Sequence, residues 1–116
     1  MLVTKKEEHR PWGRFEQFVH NEPCSVKLLY VKASSRLSLQ YHNRRKEFWK
    51  VIRGPIGVTI GDETFTGNEG DEFEIPVGAK HRLEGLSSHG IVLEISFGDF
   101  DENDIVRLED DFGRAR

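Results

Sequence analysis

The chain has 116 residues, with 17 Lys and Arg against 20 Asp and Glu for a net charge of −3, and 36% hydrophobic residues. That length holds one compact domain, and the mild acidity excludes a non-specific nucleic-acid binder. No apolar run approaches the ~20 residues of a membrane-spanning helix. Cys24 is the only cysteine, so no intrachain disulfide can form. Residues 1–8 lack the apolar stretch of a secretory signal, and a cytoplasmic domain is the expectation.

No stretch of a dozen residues keeps apolar spacing at i, i+3, i+4 and i+7, so helices are not predicted. Short runs rich in Val, Ile, Leu, Phe and Tyr recur instead between Gly, Pro, Asn and Asp clusters, the rhythm of an all-β sandwich or barrel. In chain order the predicted strands are 14–19, 25–32, 36–42, 47–53, 57–60, 63–66, 72–75, 80–84 and 91–97. Gly61-Asp62, between Val58/Ile60 and Phe65, suits a two-residue hairpin turn because glycine tolerates positive φ. Residues 68–71 and 76–78 are further turns. Residues 99–116, acidic and turn-rich around the apolar pair Ile105-Val106, form a C-terminal strap over one domain spanning 1–116.

Side chains alternate across a strand, so Gln40 and His42 share a face, as do Glu47, Trp49 and Val51. A buried carboxylate needs a cation, so Glu47 facing Gln40 and His42 implies a metal or an Arg as its partner. His81 supplies a fourth donor some thirty residues later. The predicted ligands are therefore Gln40, His42, Glu47 and His81 around a divalent ion. Zinc comes first; manganese, cobalt, nickel and iron accept the same mixed oxygen and imidazole set. The plain alternative for a strand histidine is a hydrogen-bonded core residue, which the spacing of the other donors disfavours. His9, His20 and His89 read as surface residues, and Trp12, Trp49 and Phe73 as core.

Gln40-x-His42-x4-Glu47-x6-Gly54 resembles the first cupin motif, with Gln40 in place of its usual first His. Gly70-x5-Pro76-x-Gly78-x2-His81 resembles the second, with Gly85 where the motif commonly ends in Asn. The resemblance implies a double-stranded β-helix, or jelly roll, with a metal inside. More narrowly, Arg10-Pro11-Trp12-Gly13, Leu37-Ser38-Leu39-Gln40-x-His42, Arg45-x-Glu47-x-Trp49, Ile75-Pro76-x-Gly78-x-x-His81-Arg82-Leu83-Glu84 and Asp104-Ile105-Val106-Arg107-x-Glu109-Asp110-Asp111-Phe112-Gly113-Arg114 are similar to type II phosphomannose isomerases. In that family the domain often forms the C-terminal part of a bifunctional mannose-1-phosphate guanylyltransferase. The resemblance covers nearly the whole chain and departs from the family at Asn43, Arg44 and Phe48, where histidines are usual.

This narrower resemblance implies a metal-dependent aldose–ketose isomerase, converting mannose 6-phosphate to fructose 6-phosphate through an enediol(ate). Such chemistry needs a base at the carbon-bound proton and positive charge at the oxyanion. Glu94, set in the apolar run 91–97 where desolvation raises a carboxyl pKa, is the first candidate base. Lys80 and His89 come after it, and Arg45 completes the predicted catalytic set of Glu94, Lys80 and Arg45. Arg45, Arg82 and Lys80 are the candidates for gripping the sugar phosphate. The alternative is a non-catalytic metal cupin that holds a sugar phosphate or nucleotide sugar, beside a separate guanylyltransferase. A metal-dependent oxygenase is a third reading, disfavoured by the short histidine set. Leu37, Leu39 and Tyr41, apolar on the face away from Gln40 and His42, point to a homodimer.

Overall fold

The computed structural model describes residues 5–98 and 101–114. Among these residues it consists of strands and turns, without helix. The strands are β1 (Lys6–Arg10), β2 (Gly13–Gln17), β3 (Cys24–Val31), β4 (Leu39–Tyr41), β5 (Arg45–Arg53), β6 (Ile56–Ile60), β7 (Glu63–Gly67), β8 (Glu72–Ile75), β9 (His81–Gly85), β10 (Gly90–Gly98) and β11 (Val106–Glu109). They form a hairpin β1-β2, a four-stranded sheet in the order β3-β10-β5-β8 and a five-stranded sheet in the order β11-β4-β9-β6-β7. All pairings are antiparallel. The two larger sheets make the all-β jelly roll expected from the sequence.

Alternation decides what each sheet buries. Trp49 and Val51 of β5, Val92 of β10, Val58 of β6 and Leu83 of β9 turn inward and join Val31, Ile56 and Ile75 in the main core. β-Branched and aromatic side chains suit such a pleated, half-buried surface. On the outer face of the four-stranded sheet, Phe48, Ile95 and Phe97 make a second cluster, covered by Phe18 and Val19. Gly61 has φ +61 in the hairpin turn between β6 and β7, as the Gly61-Asp62 pair predicts.

Several sequence expectations need correction. The strand expected over 36–42 is reduced to β4, preceded by a single bridge from Arg36 to Glu84. That break lets Leu37 pack against the main core instead of facing outward. On the face where a homodimer was expected, Leu39 and Tyr41 are half-buried within the single chain. The open apolar residues lie instead on β3, where Val26, Leu28 and Tyr30 are exposed. Trp12 is 72% exposed at the β1-β2 turn and takes no part in the core, whereas Trp49 is buried. Strands β1 and β11 were not anticipated. The strap carries β11, which pairs with β4; its residues 99, 100, 115 and 116 lie outside the described residues.

Candidate metal centre

The two sheets bring three side chains to one point. Glu47 comes from the inward row of β5, His81 opens β9 on the facing sheet, and His42 comes directly after β4. Gln40 is the cross-strand neighbour of His81. The Glu47 carboxylate Oε1 lies 3.1 Å from His81 Nε2 and 3.3 Å from His42 Nε2. The two imidazole centroids are 5.0 Å apart. All three residues are buried, at 3% exposure or less.

Hydrogen bonding behind the rings decides what the cluster can hold. His42 Nδ1 donates to the Asp104 carbonyl at 2.6 Å, and His81 Nδ1 donates to the Ala79 carbonyl at 2.9 Å. A carbonyl only accepts, so Nδ1 carries a proton in both rings, and in the neutral rings both Nε2 atoms present lone pairs to Glu47. Glu47 Oε1 and His81 Nε2 are buried without a hydrogen-bond partner among the described residues, despite their closeness. Lone pairs facing one another at contact distance repel unless a positive centre stands between them. Two neutral imidazoles and one carboxylate, each oriented from behind, therefore fit a divalent transition-metal ion.

The surroundings support that fit. Ser96, directly across from Glu47 on β10, donates its hydroxyl to Glu47 Oε2 at 2.8 Å. Arg45, inward-facing two residues before Glu47, places Nη2 at 3.3 Å from His42 Nε2 and Nε at 3.7 Å from Glu47 Oε2. Its Nη1 donates to the Asp101 carbonyl at 3.0 Å.

Not every predicted residue joins this group. Gln40 lies beside it, its Oε1 accepting the Ser38 hydroxyl at 3.1 Å through one of its two lone pairs. Glu94 faces inward across from Trp49, whose Nε1 donates to it at 2.9 Å. Desolvation and then the Glu47 charge raise its pKa, the direction expected from its apolar run. Lys80 pairs with Asp62 at the β6-β7 turn, 2.9 Å away. Arg82 is next to His81 on the same strand and so points to the other face of the sheet. There it donates to the Leu37 carbonyl at 2.9 Å and to Glu109 at 3.1 Å.

Sequence reasoning missed Asp104. Its buried carboxylate accepts the backbone N–H groups of Asn43 and Arg44 at 2.9 and 3.0 Å, while its carbonyl orients His42. Those backbone bonds come first among the causes that lower its pKa. It stood at the head of a resembling motif, but no spacing tied it to the ligands.

A family model described as mannose-6-phosphate isomerase C-terminal matches residues 2–110. The chain belongs to that family. Within this mannose-6-phosphate isomerase C-terminal family, the chain is 37% identical over 112 residues to the mannose-1-phosphate guanylyltransferase ManC of Salmonella typhimurium. That match covers 95% of this chain and 23% of ManC. It is 38% identical over 111 residues to the alginate biosynthesis protein AlgA of Pseudomonas aeruginosa, covering 94% of this chain and 23% of AlgA. The chain thus spans about a quarter of the length of the curated relatives it matches. Among solved structures it resembles a cupin protein from Bacteroides fragilis, with a TM-score of 0.60 at 17% identity over 70% of this chain and 74% of that one. The fold is a cupin. The relatives' names overturn the isomerase expected from the sequence: the family description carries that word, but ManC is named a guanylyltransferase. No helix among the described residues is long and apolar enough to cross a membrane.

Proposed function

We propose that this chain is a metal-holding cupin domain that binds a phosphorylated mannose or its nucleotide sugar, without a bond-changing step of its own, in support of guanylyltransferase chemistry. The observation that carries this is the convergence of the His42 and His81 Nε2 atoms on Glu47 Oε1 inside the barrel. The mannose-1-phosphate in the name of ManC supports the ligand class.

His42, Glu47 and His81 would hold the ion. When bound, it supplies a positive centre that attracts sugar hydroxyl and phosphate oxygens. Arg45 adds a guanidinium beside the same three residues, and Ser96 keeps the Glu47 carboxylate turned toward the imidazoles. Trp49, whose ring meets His81 edge-on at a centroid distance of 5.5 Å, closes the inner side against water. The Trp49 indole also holds Glu94 away from solvent.

Calorimetry on zinc- or manganese-loaded protein tests the reading. Mannose 1-phosphate, mannose 6-phosphate and GDP-mannose are titrated beside unphosphorylated mannose. Saturable binding of at least one phosphorylated ligand, abolished by a chelator, is the expected result. Heats no larger than those of mannose alone, with all three ligands and both metals, overturn it.

A further inference from the structure

Five-stranded sheets make rows of side chains that share a face, because residues directly opposite on antiparallel strands point the same way. One such row crosses β6, β9, β4 and β11 as Ile60, His81, Gln40 and Arg107. His81 faces the interior, so Arg107 does too. Strands stand about 5 Å apart, which puts Arg107 two steps from His81 and one from Gln40.

Of the other arginines that touch the strap, Arg45 donates to the Asp101 carbonyl and has its Nε 3.7 Å from Glu47 Oε2, and four more are committed to acidic groups of the strap. Arg82 pairs with Glu109, Arg36 with Asp111, Arg44 with Asp101 and Arg114 with Asp110. Arg107 differs: its Nε is buried and has no hydrogen-bond partner among the described residues. A buried donor left unmade is costly, and a charged one more so. The group that satisfies it must be an acceptor, and beside a guanidinium an anionic one is strongly favoured.

We infer that Arg107 is an anion-binding residue of this barrel, taking the phosphate of a phosphorylated sugar whose hydroxyls lie toward His42, Glu47 and His81. The juxtaposition is a guanidinium with an unfilled Nε donor in the same interior row as a metal-ligating histidine. The span of two strand steps is that of a hexose with its phosphate ester, so one ligand reaches both ends. Arg45 stands closer to the ligating atoms, and Arg82 is turned outward, so neither serves the far end. The assignment rests on the function proposed above and adds to it the residue that reads the phosphate.

The test uses the metal-loaded full chain with mannose 1-phosphate and mannose 6-phosphate, compared with Arg107→Gln and Arg107→Lys. Arg107→Gln should bind the phosphorylated sugar roughly 10- to 100-fold more weakly, as loss of a charged hydrogen bond predicts, with metal content unchanged. Arg107→Lys, which keeps the charge but lacks the Nε donor, should fall between. In the unaltered protein, the Arg107 Nε–H resonance should shift on titration with inorganic phosphate, a readout that needs no folded variant. If the unaltered protein binds the phosphorylated sugar and Arg107→Gln binds it as tightly, or if the Nε–H resonance stays put, this assignment falls and the binding function stands. If the unaltered protein binds no phosphorylated sugar, both fall together.

Discussion

Two residues show how single positions set the site and its frame. Asp104 works twice, its carbonyl on His42 and its carboxylate on the Asn43 and Arg44 amides. Groups that orient a ligand from behind are commonly worth about 10- to 100-fold in metal affinity. Asp104→Ala should therefore weaken zinc binding by that order in a chelator competition, with the far-ultraviolet circular dichroism preserved. Unchanged affinity would show that the 43–44 turn is held by other contacts. Gly85, where the cupin pattern commonly has Asn, has a steric reason to be glycine: a Cβ there would lie 1.9 Å from the Lys32 carbonyl oxygen. Gly85 N–H also donates to the Ser35 carbonyl, so the strand cannot simply retreat. Gly85→Ala should cost on the order of 1–3 kcal/mol in chemical denaturation, the usual scale for overpacking. Of the site residues, His42 and Glu47 were readable because alternation and a short turn suffice to bring them together, and His81 because it ends a segment that resembles the second cupin motif. Alternation also tells against Arg82, since it is adjacent to His81 and must face the other way. Arg107 was not readable, because its face depends on pairing with a strand more than sixty positions earlier.

Among the elements, those with alternating apolar residues were legible and those held by charge were not. β1 consists of Lys6, Glu7, Glu8, His9 and Arg10, and carries no apolar rhythm at all. Its hairpin is tied to the body by ions: Glu16 of β2 lies 2.5 Å from Lys5 and 2.8 Å from Lys50 of β5. Glu72 of β8 meets the same two lysines at 2.9 and 3.4 Å, and both ammonium groups stand over the Phe18 ring. The hydrogen bonds from Lys5 and Lys50 lower the Glu16 pKa from 4.5 to about 2. A carboxyl with a depressed folded-state pKa contributes stability above its unfolded value and loses it as pH falls through the folded one. Amide exchange in β1 and β2 should thus quicken relative to the core as pH drops from 4.5 toward 2. Glu16→Gln should flatten that dependence. A hairpin equally protected across the window in both proteins would assign its anchoring to Phe18 and Val19 alone. β11 was equally hidden, since a bulge between Arg107 and Glu109 breaks the alternation that would have announced it.

For the whole molecule, the strand rhythm was enough for an all-β sandwich or barrel, and the jelly roll itself came from the resemblance of two segments to the cupin motifs. What they did not resolve was activity, since one barrel serves many chemistries and the relatives' names point to guanylyl transfer. A ligand set joining the two sheets couples ion binding to global stability. An ion that binds the folded state alone stabilises it by RT ln(1 + [L]/Kd), about 2.7 kcal/mol at a hundred times Kd. Excess zinc should accordingly raise the melting temperature of the unaltered protein by several degrees, and His81→Ala should abolish the rise. A melting temperature indifferent to both zinc and chelator would leave the three side chains as a structural cluster. The same architecture also orders events in time. The carbonyl that orients His42 belongs to residue 104, and β11 comes after it, so both leave a ribosome after His42, Glu47 and His81. A nascent chain that has already exposed His42, Glu47 and His81 still lacks the acceptor that orients the His42 imidazole, until residue 104 has followed.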